Sequence, residues 1–219
     1  MNSTTRIALL SFCCGGLLFS LGARFVAPFL APPPRTAPPL HWERKVDQFQ
    51  TLGRNRKLVF LGDSRIEEAL WPEWLQRNDI SNRGINGDNT LWLFARLPVS
   101  VSMEADVIVL QLGINDLMRG DSELEIVARM SQILDYLRRK SPKIVFTSVI
   151  YAASSQSQLK VTALNRDFRA LAEQKKLIWV DLNDSLAPRG YLDSRHSNDG
   201  LHLNGRGYQI FSSLLRKHL

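Results

Sequence analysis

At 219 residues the chain is long enough for one domain with an ordinary core plus an appendage. Hydrophobic residues at 44% and charged residues at 22% exclude a disordered or fibrous chain. The formal charge of +7 contracts to +4 once the three arginines of residues 1–40 are set aside, and the other cations form no stripe with interleaved aromatics, which excludes a nucleic-acid partner.

The first element in chain order is apolar. No charge falls between Ile7 and Gly22, and after Arg24 the run resumes at Phe25 and continues to Ala31. From Ile7 to Ala31 a helix would measure ~37 Å, enough to cross a bilayer. Residues 1–31 are therefore expected to form a membrane anchor or signal segment, with an uncleaved anchor preferred because cleavage near Ala23 would leave a greasy new N-terminus. The expected location is membrane-anchored and extracytoplasmic, or secreted if the segment is removed. The basic residues Arg35, Arg44 and Lys45 after the span run against the positive-inside rule for that orientation. Both cysteines, Cys13 and Cys14, lie in this stretch, so the body has no thiol nucleophile and no disulfide. Residues 32–56 begin with a proline cluster, Pro32, Pro33, Pro34, Pro38 and Pro39, which reads as a stiff linker and lead-in.

Residues 57–219 read as the folded domain. Runs of strand length occur at Leu58–Leu61, Ile80–Arg83, Val107–Leu112, Ile144–Ile150 and Leu177–Leu182. Helical periods separate the later ones. Ser122 with Glu125 forms a capping box ahead of the stripe Ile126, Val127, Met130, Ile133, Leu134 and Leu137. A second stripe is Val161, Leu164, Phe168 and Leu171. A third, Ile210, Phe211, Leu214 and Leu215, follows a candidate N-cap at Asn204. Strands alternating with helices predict an α/β fold, a three-layer α/β/α sandwich of flavodoxin type around a mainly parallel five-stranded sheet. Ligands bind such sheets beyond the C-terminal strand ends, where Gly62-Asp63-Ser64 and Gly113-Ile114-Asn115-Asp116 both fall.

Four short segments carry chemistry in combination: Leu61-Gly62-Asp63-Ser64, Asn82-Arg83-Gly84-Ile85-Asn86-Gly87-Asp88, Gly113-Ile114-Asn115-Asp116 and Asp199-Gly200-Leu201-His202. Each alone is an ordinary turn. In this order the chain resembles the SGNH (GDSL-type) esterases and lipases over about residues 57–219, and is similar to their small platelet-activating-factor acetylhydrolase-like members. The resemblance implies a serine esterase acting on acyl or acetyl esters of lipids or carbohydrates through an acyl-enzyme. It implies catalytic Ser64, Asp199 and His202, and an oxyanion hole from Ser64 N–H, Gly87 N–H and the Asn115 side chain. No metal and no cofactor are expected; the expected partners are the ester substrate and, through the N-terminal segment, a membrane. An acyltransferase with the same triad and a non-catalytic module of the same fold are the alternatives.

Physical chemistry supports these roles. A serine hydroxyl needs an imidazole to take its proton and a carboxylate to hold the imidazole in the right tautomer. Asp63 and Asp116 are expected to hold loops, Gly84 to serve packing or a turn, and His196 to lie on a loop surface. Arg65 departs from the apolar residue common after the serine in this family, and a cation there is expected to favour anionic substrates. Ser154–Lys160 and Asp184–Ser197 are expected as pocket walls. The elbow of the α/β hydrolases is excluded, because Ser64 is followed by Arg65-Ile66.

Overall fold

The structure is a computed structural model that describes residues 37–153 and 158–219. The chain order is α1 Leu40–Leu52, β1 Leu58–Gly62, α2 Ser64–Glu67, α3 Trp71–Leu75, β2 Ile80–Gly84, α4 Thr90–Ser100, β3 Val107–Gln111, α5 Ile114–Arg119, α6 Glu123–Arg138, β4 Lys143–Thr147, α7 Gln158–Gln174, β5 Ile178–Val180, α8 Asn183–Leu186 and α9 Gly205–Arg216. The five strands form one parallel sheet in the order β2-β1-β3-β4-β5. Helices cover both faces, as the alternation of strand and helix periods predicts. All five strands fall on the expected runs, with Gly62, Gly84 and Lys143 each one residue beyond them, although 148–150 and 181–182 continue past the ladder as irregular chain.

Both sheet faces are buried, so the strand side chains split evenly. Val59, Leu61, Ile108, Leu110, Ile144 and Phe146 pack with Leu93, Met130, Leu134, Leu164 and Phe168 on one face. Leu58, Phe60, Val107, Val109 and Val145 pack with Trp71, Leu186, Phe211 and Leu215 on the other. Trp71 stacks on Phe60 at 4.2 Å and meets Phe211 edge-on at 5.2 Å, which seats α3 and α9 against β1. The capping box at Ser122 forms: Glu125 Oε2 accepts from the Ser122 N–H at 2.9 Å and Ser122 Oγ from the Glu125 N–H at 3.3 Å. Asn204 caps α9 through the Gly207 N–H at 3.1 Å.

Strand order places the crossover switch between β1 and β3, where chain leaves the two strands toward opposite sides. A crevice is expected at that point. Ser64 follows β1 and Asn115 follows β3 there.

One expectation is corrected. Among the described residues no helix is long and apolar enough to cross a membrane. The longest, α7, has 17 residues, ~26 Å of rise, and carries Lys160, Arg166, Asp167, Arg169 and Glu173. The expected anchor over 1–31 lies outside the described residues, and the membrane-anchored, extracytoplasmic location is withdrawn with it. Part of the expected linker is structured: α1 falls within 32–56 and is joined to the body by the bonds described below.

Candidate active site

The site is assembled from four strand or helix ends. Helix α2 starts immediately at the end of β1, with Asp63 as its N-cap, accepting the Arg65 N–H at 3.0 Å. The short helix lies so close to β2 that a Cβ on Gly84 would stand 2.3 Å from the Glu67 nitrogen. Gly84 is therefore a packing glycine, as expected. Asn82 closes the other end, donating to the carbonyls of Ile66 and Glu67 at 2.9 and 3.1 Å. Ser64 thus stands on a turn pinned at both ends.

The loop at 199–202 brings the second half of the site to this turn. His202 Nε2 is 3.0 Å from Ser64 Oγ, and His202 Nδ1 is 2.6 Å from Asp199 Oδ2. Asp199 Oδ1 accepts the backbone N–H groups of Leu201 and His202, each at 2.8 Å, and the Ser197 hydroxyl at 3.2 Å. The His202 hydrogen bond first, then those two amides, hold its carboxyl well below the usual carboxylate range. Three residues spread over 138 positions of sequence are joined in one hydrogen-bonded chain.

Gly87 and Asn115 are tied together by way of Asp88. Gly87 has φ +75°, and a Cβ there would meet nothing within 4 Å, so the position needs glycine for its backbone turn and faces open space. Asn115 Nδ2 donates to the Asp88 carbonyl at 2.9 Å. The Asp88 carboxylate is fully buried and pairs with Arg96 at 2.6 Å, while Arg96 Nη2 also reaches the Gly62 carbonyl at 3.3 Å. One guanidinium therefore ties the Gly87 loop to the strand end beneath Ser64. Burial raises the Asp88 carboxyl despite the opposing pull of Arg96.

Helix α1 braces that loop from outside. His41 Nε2 is 2.8 Å from the Asn86 carbonyl, and Trp42 Nε1 donates to Asp88 Oδ1 at 3.1 Å, so both neighbours of Gly87 are held. Lys45 pairs with Glu67 at 2.8 Å. The signal for α1 was in the sequence: Trp42, Val46 and Phe49 recur at helical spacing and Gly53 closes the helix in the left-handed region.

Asp63 and Asp116 hold loops, as expected. Both Asp116 oxygens accept the Thr90 N–H, at 3.0 and 3.1 Å, and Asp116 also accepts the Thr90 hydroxyl, joining the start of α4 to α5. Burial pushes Asp63 up to about 6 and Asp116 up to about 7. Their ordinary value is 3.8, so between about pH 4 and 7 the folded state binds more protons than the unfolded one. Stability is expected to fall as pH rises through that window, by a few kcal/mol in order of magnitude. Urea midpoints measured from pH 4 to 8 test this, and Asp116→Asn should flatten the decline.

Two side-chain expectations are corrected. Arg65 does not face substrate: it is 1% exposed, donating from Nε to the Leu201 carbonyl at 2.9 Å and from Nη1 to the Ile150 carbonyl at 2.8 Å. A long side chain in the first turn of α2 reaches inward and fastens the loop before His202. His196 is buried rather than on the surface, its Nδ1 3.2 Å from the Leu186 carbonyl. Sequence reading also missed Glu68, whose Oε1 lies 4.0 Å from His202 Nε2. Its spacing of four from Ser64, one helical turn, was the available signal.

A cavity of about 420 Å³ is lined by Asp184, Ala187, Pro188 and Gly190 of the expected wall, together with Tyr151 and Trp179. Residues 154–157 of the other expected wall lie outside the described residues. Among the described residues no group of three or more His, Cys, Asp or Glu side chains is arranged to hold a metal ion.

Solved structures of other proteins share this architecture. A GDSL-like lipase from Bacteroides thetaiotaomicron is 22% identical, with a TM-score of 0.71 over 80% of this chain and 95% of that one. The acetylxylan esterase Axe2 from Geobacillus stearothermophilus is 18% identical, with a TM-score of 0.62 over 76% of this chain and 94% of that one. An N-acylneuraminate cytidylyltransferase from Streptococcus agalactiae is 21% identical over 162 residues; the match takes in 73% of this chain but only 38% of that larger protein. Across residues 60–210, which include Ser64, Gly87, Asn115, Asp199 and His202, the sequence matches the profile of one family, and the chain belongs to it: the GDSL-like lipase/acylhydrolase family.

Proposed function

We propose that the protein is a serine esterase that hydrolyses acyl or acetyl esters through an acyl-enzyme. The observation that carries this reading is the unbroken Ser64–His202–Asp199 chain, with contacts of 3.0 and 2.6 Å, at the end of β1. His202 Nε2 takes the Ser64 proton as Oγ attacks the ester carbonyl. Asp199 accepts from Nδ1–H, which leaves Nε2 as the basic nitrogen and supports the imidazolium that forms. The carbonyl oxygen gains negative charge and is met by Ser64 N–H, Gly87 N–H and Asn115 Nδ2. Asn115 has two amide hydrogens; one is committed to the Asp88 carbonyl, which aims the other. The tetrahedral intermediate expels the alcohol, which takes the proton from Nε2. Water then repeats the sequence on the acyl-serine, releasing acid and restoring the Ser64 hydroxyl.

Membership of a lipase/acylhydrolase family supports hydrolysis, and the fold likeness to an acetylxylan esterase favours small acyl groups among the esters to be tried first. The test is hydrolysis of p-nitrophenyl acetate and longer esters by the full chain and by Ser64→Ala. A loss of about 10⁴-fold or more in the variant is expected. Undiminished turnover by Ser64→Ala overturns the reading, and release that requires an added acceptor alcohol reassigns the chemistry to acyl transfer.

A further inference from the structure

The imidazole nitrogen that bonds Ser64 has a second neighbour. Glu68 Oε1 stands 4.0 Å from His202 Nε2, and the Glu68 side chain is 43% exposed. Its backbone N–H donates to the Ser64 carbonyl at 2.9 Å, so the two residues are one helical turn apart and project on the same side. The adjacent carboxylate, Glu67, is occupied by Lys45 and the Asn86 N–H. Glu68 pairs with no lysine or arginine among the described residues; its one ionic neighbour is His202. The nearest cation in sequence, Arg65, is buried on backbone carbonyls. The charge facing outward beside the nucleophile is therefore negative.

Position decides which half of a substrate meets it. Nε2 returns its proton to the departing oxygen, so that oxygen must come within ~3 Å of Nε2. A carboxylate 4.0 Å from the same nitrogen stands beside the alcohol portion of the ester. Asp199, the other partly exposed carboxylate, lies across the ring at Nδ1.

We infer that Glu68 is a specificity-determining residue for the alcohol half: the site takes esters of cationic or uncharged alcohols and rejects those whose alcohol carries an anion. This rests on the serine-esterase reading and adds the substrate class to it. A charge a few ångströms from a half-exposed carboxylate is expected to change kcat/KM by about tenfold between opposite signs.

The test compares three acetates of similar shape on the full chain: acetylcholine, its uncharged isostere dimethylbutyl acetate, and acetoxypropane sulfonate. Wild type is expected to prefer the choline ester over the sulfonate, with the preference shrinking as salt is added. Glu68→Gln keeps shape and an acceptor oxygen, and should reduce the preference about tenfold; Glu68→Lys should reverse it. A preference in Glu68→Gln within about twofold of wild type overturns the inference. So does a wild-type preference that ignores salt, a measurement that needs no variant to fold. Hydrolysis of these acetates by Ser64→Ala at the wild-type rate would instead overturn the esterase reading beneath it.

Discussion

Asp199→Asn is expected to lower kcat by about 10⁴-fold while leaving the fold and KM nearly intact. The reason lies in how the two carboxylate oxygens are used. Oδ1 accepts two backbone N–H groups at 2.8 Å, a role that only the amide oxygen of asparagine can take over. The asparagine NH₂ is then forced into the place of Oδ2, 2.6 Å from His202 Nδ1. It is a donor, so the imidazole must present Nδ1 as an acceptor and carry its hydrogen on Nε2. That tautomer cannot accept the Ser64 proton across the 3.0 Å contact. Measured kcat and KM for p-nitrophenyl acetate, with a melting curve to confirm the fold, check this. A loss below about tenfold would show that Asp199 does not set the tautomer.

The largest stability effect is expected at Arg96. Its pair with Asp88 has no exposure on either side chain, and removing one partner of such a pair leaves a buried charge without compensation. Arg96→Ala is expected to cost about 3–5 kcal/mol in urea unfolding. The cost should grow with pH. Burial already raises the Asp88 carboxyl, and without Arg96 it is raised further, so the folded variant holds a proton that the unfolded chain releases. Stability of the variant therefore falls as pH rises, and its deficit at pH 8 should exceed that at pH 5. Replacing both residues by leucine and methionine should recover much of the loss, because apolar side chains of similar volume need no pairing. Activity should not recover in parallel. Arg96 also reaches the Gly62 carbonyl, and the Asp88 carbonyl orients Asn115, so the double variant loosens the proposed oxyanion donors. Equal stability of Arg96→Ala and wild type at pH 8 would contradict the pairing argument.

Much of the architecture was legible from pattern alone. Central parallel strands buried on both faces are mostly apolar, so Val107–Leu112 and Ile144–Ile150 stood out, and the helix caps at Ser122 and Asn204 depend only on neighbours three residues away. Short helices such as α2 and α3 were not legible, because four or five residues carry too little periodicity to register. The roles of Arg65 and His196 were misread for a different reason. A polar side chain after a nucleophile or in a loop is usually exposed, and here each is buried because carbonyl oxygens from distant segments, Ile150 and Leu201 for Arg65 and Leu186 for His196, supply partners.

Residue types and their order were enough to name the family and to suggest the proposed chemistry: a serine at a strand end, an asparagine at the next, and a carboxylate three residues before a histidine. Local spacing carries that information, because caps, turns and alternating faces depend on nearby residues. Three-dimensional packing alone decided what surrounds those groups. It put a carboxylate rather than a guanidinium beside His202 Nε2, closed Arg96 between two loops, and set α1 against the glycine of the proposed oxyanion hole. Those outcomes depend on which segments the parallel crossovers bring into contact, and pairings separated by 34 to 138 residues leave no periodic trace along a single chain.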